Sequence, residues 1–155
     1  AEVKLSYKDG IQQVILNGKK VTDRLRSEEV GNMASATSAI PEVRKALLFL
    51  QKNLAQKEDV VMDGRDIGTA ILPNADVKIY LTASVDTRAK RRYKELKEKQ
   101  IPCELEKIKQ DIAKRDEQDM NRKTAPLRQA EDAVLIDSSD MTIAEVVEKI
   151  CSLCR

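Results

Sequence analysis

The sequence contains no histidine and no tryptophan, one phenylalanine and three tyrosines. Without an imidazole to move the proton, Ser-His and Cys-His hydrolytic mechanisms are excluded. Aromatics make up only 3% of the residues, so stacking platforms for single-stranded nucleic acid are scarce and Leu, Ile, Val and Ala must build the core. An excess of one charge is also missing. Lys+Arg 28 against Asp+Glu 26 leaves a formal net charge of +2, which does not suit a general nucleic-acid binder. No apolar run approaches the roughly 18 residues of a membrane span. The opening stretch AEVKLSYKDG shows none of the basic-then-apolar order of a signal peptide.

The three cysteines include Cys151 and Cys154 in a C-x-x-C near the carboxyl terminus. A second pair or a histidine would be needed to complete a zinc site, so they read as reduced thiols of a cytosolic protein. What is present is 155 residues, 41% hydrophobic and 35% charged, a balance expected of a soluble globular domain with a small appendage.

The appendage comes first. Val3, Leu5 and Tyr7, then Val14 and Leu16, then Val21 form short runs separated by Asp9-Gly10 and Asn17-Gly18. Such turn dipeptides between apolar runs predict an antiparallel three-stranded meander. A helix is expected from Pro41 to about Leu54, with Val43, Leu47, Leu50 and Leu54 on one face. Strands are expected at 59–62, 77–81 and 133–137. Ser84 or Asp86 can cap a helix running to about Gln100. Ile101-Pro102 breaks it, and another helix is expected from Glu104 to Asn121. Thr142 and Glu145 make a capping box for a last helix. Strands alternating with helices predict an α/β fold with a parallel sheet and helices on both faces.

Two segments carry chemistry. Asp63-Gly64-Arg65-Asp66-Ile67-Gly68-Thr69 leaves the carboxyl end of an expected strand, where α/β sheets bind ligands. It holds two carboxylates and a guanidinium that can grip a phosphate by two hydrogen bonds. The same residues would also make a solvated charged turn. Arg115, Asp119 and Arg122, four and then three residues apart, share a helix face away from Leu105, Ile108 and Ile112. That face either lines a cleft or forms a surface ladder of ion pairs. Ser35 and Arg44 are uninformative alone.

Taken together, Asn32-Met33-Ala34-Ser35, Pro41-Glu42-Val43-Arg44, the segment 63–69, Arg115-Asp116-x-x-Asp119-x-Asn121-Arg122 and Ala125-Pro126-Leu127 resemble the bacterial cytidylate kinases in order and spacing. The resemblance covers essentially the whole chain. It implies the P-loop nucleoside monophosphate kinase fold: residues 1–30 as part of a CMP-binding insert, and 31–155 as the remaining core with a helical lid around 88–124. It further implies a cytoplasmic enzyme, monomeric at full length, that transfers the ATP γ-phosphoryl group to CMP or dCMP with Mg²⁺. The implied roles are Ser35, Arg44 and Asp66 at the cytosine edge, Arg65 and Arg122 at the CMP phosphate, and Asp119 with Arg115 at the sugar hydroxyls. Arg115 would also face the transferring phosphate. Asp63 would lie near the magnesium ion, and Arg91 and Arg92 of the lid would touch ATP.

One feature departs from the family pattern. The glycines stand at 10, 18, 31, 64 and 68, and none belongs to a G-x-x-x-x-G-K-[ST] phosphate loop. In the family that loop precedes the insert, so the resemblance implies that the chain begins inside the insert. The residues given are then expected to bind nucleotide without catalysing transfer.

Overall fold

The computed structural model describes residues 2–25, 27–38 and 40–154, with only the backbone of Glu28, Asn32 and Ser35. The chain forms two compact units, divided between Leu47 and Leu48.

In the first unit, β1 (Val3–Lys8) pairs antiparallel with β2 (Ile11–Leu16), and β2 with β3 (Lys19–Lys20). The register is set by the two turns the sequence marks, which close Lys8 on Ile11 and Leu16 on Lys19. Both central residues of each turn have positive φ: Asp9 53° and Gly10 74°, Asn17 48° and Gly18 77°. This is the primed geometry that follows the right-handed strand twist. Asn17 Oδ1 accepts from the Glu2 amide at 2.9 Å, and the Thr22 hydroxyl accepts from the Val14 amide at 2.9 Å. Helix α1 (Glu28–Ser38) starts beneath a Ser27 hydroxyl that accepts from the Val30 amide. Helix α2 (Pro41–Lys57) begins on a proline, whose missing N–H is not needed there. The division between the units falls within α2.

In the second unit, β4 (Ile79–Thr82) and β5 (Val134–Asp137) pair in parallel, from Ile79↔Val134 to Thr82↔Asp137. Besides the latter part of α2, it contains α3 (Val85–Glu98), α4 (Leu105–Asn121) and α5 (Ile143–Leu153). The Ser84 hydroxyl caps α3 by accepting from the Thr87 amide, and Thr142 with Glu145 forms the full capping box of α5. Helices α3 and α4 pack on each other. Among the described residues, Ile71, Ala83, Ala89 and Ile136 are the buried apolar ones. No described helix is long and apolar enough to cross a membrane.

One expected element is absent. Residues 59–62 form no strand, and Val61 is fully exposed. An apolar run becomes a strand only when another strand takes up its N–H and C=O groups, and no described segment pairs with this one. The architecture is therefore α/β, with a two-stranded parallel sheet and a separate three-stranded antiparallel sheet.

Candidate functional site

The second unit assembles its polar site from two stretches far apart in sequence. The first is the loop 63–66 and the wide π-type turn after it, Ile67–Ile71. The Asp66 carbonyl accepts from the amides of Ala70 at 2.9 Å and Ile71 at 3.3 Å, and Ile67 O accepts from Leu72 at 2.7 Å. These bonds hold the Asp66 backbone at the mouth of the turn. Gly64 is required by space, because a Cβ there would lie 2.8 Å from Ile67 Cγ1. Lys78 pins the far side of the turn, with Nζ 2.5 Å from the Pro73 carbonyl and 2.5 Å from Asp132 Oδ2.

The second stretch is the end of α4 and the segment after it. The Asp119 carbonyl accepts from the Leu127 amide at 2.8 Å, and Arg122 Nε donates to the Ala125 carbonyl at 2.7 Å. The chain thereby folds back under the helix end, with Ala125 in the left-handed region at φ 48°.

Four charged side chains meet where these stretches approach. Arg65 Nε donates to Asp119 Oδ2 at 2.8 Å. Arg122 Nη1 lies 3.9 Å from Asp119 Oδ1, and its Nη2 lies 3.6 Å from Asp66 Oδ1. Asp66 and Asp119 are 7% and 5% exposed, and the guanidinium groups beside them offset the cost of burying carboxylates. Arg122 Nη2 is buried and has no hydrogen-bond partner among the described residues. Its 3.6 Å approach to Asp66 is ionic attraction beyond hydrogen-bond reach. A buried donor left open costs about 1–3 kcal/mol, and an anionic ligand is the natural group to complete it. Arg65 adds capacity: its Nε is bonded, while no described group takes its terminal nitrogens.

The structure thus brings together Arg65, Asp66, Asp119 and Arg122. Asp63 and Arg115 are exposed and form no ion pair among the described residues. Asp119 is held by Arg65, 54 positions away in sequence, rather than by its helix neighbour Arg115. Arg91 donates to Ser138 Oγ at 3.2 Å and to the carbonyls of Ser138 at 2.5 Å and Met141 at 3.2 Å. Arg92 pairs with Glu95 at 2.8 Å. In the first unit, Arg44 lies on α2 and its Nη1 donates to the Ser38 carbonyl at 3.2 Å. Ser35 lies on α1, and its side chain falls outside the described residues.

Sequence reasoning gave no role to Arg88 or Asp116. They form a bidentate pair between α3 and α4 at 3.0 and 2.6 Å. Each looks like an ordinary surface charge in one dimension, and only packing of the two helices reveals the match.

This unit combines a parallel α/β pairing with two guanidinium groups beside two buried carboxylates. The family model described as cytidylate kinase matches residues 1–155. A cytidylate kinase of Caldicellulosiruptor bescii is 47% identical over 152 residues, covering 98% of this chain and 67% of the relative. One from Streptococcus pneumoniae (strain Hungary19A-6) is 53% identical over 141 residues, 91% of this chain and 63% of the relative. The chain belongs to the cytidylate kinase family. It spans 67% and 63% of the lengths of these two relatives.

Proposed function

We propose that the protein transfers the γ-phosphoryl group of ATP to CMP or dCMP, giving CDP or dCDP and ADP, and that these residues supply its CMP-binding side and lid. The observation that carries the reading is the open, buried Nη2 of Arg122 beside two carboxylates. Family membership supplies the substrate.

In this reading Arg122 and the terminal nitrogens of Arg65 hold the CMP phosphate. Asp119, held in place by those arginines, accepts from the sugar hydroxyls, and Arg115 joins it there and faces the transferring group. Ser35, Arg44 and Asp66 read the cytosine edge, whose ring nitrogen and carbonyl accept and whose amine donates. An oxygen of the CMP phosphate attacks the γ-phosphorus, and the bond to the β-phosphate's bridging oxygen breaks. The guanidinium groups offset the charge of two phosphates brought together. Lid closure over the site excludes water and so limits hydrolysis. Arg91 and Arg92 exchange their internal partners for ATP phosphates on closure.

Among the described residues no three metal-binding side chains cluster. Magnesium fits such a site, because it commonly takes one or two carboxylates together with substrate phosphates. Asp63 is the residue that would lie near it. When bound, the ion neutralises charge on the ATP phosphates. The full-length protein is expected to act as a monomer in the cytoplasm, on small molecules rather than nucleic acid or membrane.

The absence of a G-x-x-x-x-G-K-[ST] motif from these 155 residues favours a second reading of them taken alone, as a nucleotide-binding fragment without turnover. One experiment addresses both readings. ADP formation is followed with CMP, ATP and Mg²⁺ in the full-length enzyme, and CMP titration is followed calorimetrically in the 155-residue chain. Turnover confined to the full-length enzyme is expected. No CMP-dependent ADP in the full-length enzyme would refute the activity, and robust turnover by the short chain would refute the division of labour.

A further inference from the structure

We propose that Arg88 and Asp116 are a positioning pair for the phosphoryl-acceptor site, an inference that rests on the CMP-kinase reading above. Arg88 engages all three of its guanidinium nitrogens. Nη1 and Nη2 donate to Asp116 Oδ1 at 3.0 Å and Oδ2 at 2.6 Å, and Nε donates to the Ala83 carbonyl at 2.9 Å. Ala83 is buried and directly follows β4. One planar group therefore ties the carboxyl end of a core strand to the middle of a lid helix.

What lies at the other end of that tie gives it consequence. Asp116 follows Arg115 and precedes Asp119 by three residues on α4. At about 100° per residue, Asp116 and Asp119 sit about 60° apart around the helix and one turn apart along it. A bidentate contact fixes direction as well as distance. Holding Asp116 therefore fixes both the rotation of α4 about its axis and its advance relative to β4. Those two quantities decide whether Asp119 meets Arg65 at 2.8 Å and where Arg122 is delivered.

The molecule contains its own control. Lys109 on α4 also bridges to α3, through Asp86 at 3.0 Å. That bridge is a single contact between partly exposed groups, about two turns before Asp116, and it makes no bond to the strand end. If any α3–α4 bridge sufficed, the two would matter equally.

The test is steady-state kinetics and calorimetric CMP binding in the full-length enzyme, with thermal unfolding of each variant. Arg88→Lys keeps the charge but loses the fork. Asp116→Asn keeps the shape but loses the charge. Each is expected to lower kcat/KM for CMP by about 10- to 100-fold, the scale of a small misplacement of reacting groups, with a rise in KM for CMP. The double variant is expected to be no worse than the poorer single one, because both remove the same contact. Lys109→Gln is expected to stay within about 2-fold of wild type, as surface pairs contribute little. Variants with lower melting temperatures but unchanged KM and affinity for CMP would overturn the inference. So would strictly additive effects, or a Lys109→Gln defect equal to that of Arg88→Lys. A wild type that neither binds nor phosphorylates CMP would overturn the functional reading and this inference with it. A CMP-active wild type whose variants keep its KM would overturn this inference alone.

Discussion

The two units of this chain are held together by different means. In the first, every residue of β1 is exposed, including Leu5 and Tyr7, and the meander rests on its ladder and its two turns. In the second lie all the buried residues among those described, both the apolar ones and the polar Asp66, Asp119 and Ser138. The difference shows where sequence changes are felt. A locally specified sheet tolerates side-chain replacement and is sensitive only where backbone conformation is special. A unit with carboxylates sunk beside guanidinium groups is sensitive wherever a charge loses its partner.

The sharpest way to break the comparison is Asp119→Ala. It removes the partner of Arg65 and one partner of Arg122 at a site 5% exposed. Breaking a buried pair costs about 3–5 kcal/mol, and urea unfolding is expected to show a loss on that scale. CMP and dCMP binding should weaken together. By contrast, Tyr7→Ser on the exposed face of β1 should stay within about 0.5 kcal/mol of wild type. A stable Asp119→Ala, or a Tyr7→Ser that unfolds the chain, would reverse the contrast.

A second test sharpens it within the first unit. Gly18 has φ +77° and open space around its Cα, so Gly18→Ala suffers from conformation and not from crowding. A loss of about 1 kcal/mol is expected, measured by urea unfolding. At Gly64 the limit is crowding by Ile67 Cγ1 and Cδ1, and Gly64→Ala should cost less in an Ile67→Ala background than in the wild type.

The same contrast explains how much was legible beforehand. The Asp9-Gly10 and Asn17-Gly18 turns and the Thr142–Glu145 box are decided by residues adjacent in sequence, and the structure has them where the sequence places them. That residues 59–62 form no strand was not legible, since Asp59-Val60-Val61-Met62 has strand composition but strandedness belongs to a pair of segments. Helix α1, through Gly31 and Ala36-Thr37-Ser38, has weak propensity and little periodicity and was not foreseen. In the site, the one-face spacing of Asp119 and Arg122 was readable from helical geometry. The partnership of Arg65 with Asp119 and that of Arg88 with Asp116 were not, because they cross 54 and 28 positions.

The smallest expected effect concerns the exposed lid charges. Lys99, and after it Arg92, holds the Glu95 carboxyl down from its ordinary 4.5 to about 2. A depressed carboxylate stabilises the fold at pH values above its ordinary range. Its contribution is full above about pH 4.5 and disappears as the pH falls toward about 2. Because the group is exposed, salt should screen most of it. Glu95→Gln should remove that small contribution at neutral pH and flatten the stability profile between about pH 4.5 and about pH 2. A large effect at pH 7 would mean that Glu95 has a role beyond its two ion pairs.

The central claim is that the open donor of Arg122 is a phosphate site, and comparing CMP with cytidine in the full-length enzyme tests it most directly. The two ligands share base and sugar and differ only in the phosphate. Wild type should bind CMP more tightly than cytidine. Arg122→Ala should weaken CMP by about 10- to 150-fold, the equivalent of losing a charge-assisted hydrogen bond of about 1.5–3 kcal/mol. Cytidine binding should weaken much less than CMP binding, through the loss of Arg122 beside Asp66 and Asp119 alone. Equal weakening of CMP and cytidine would contradict the account and make Arg122 a purely structural partner of Asp66 and Asp119.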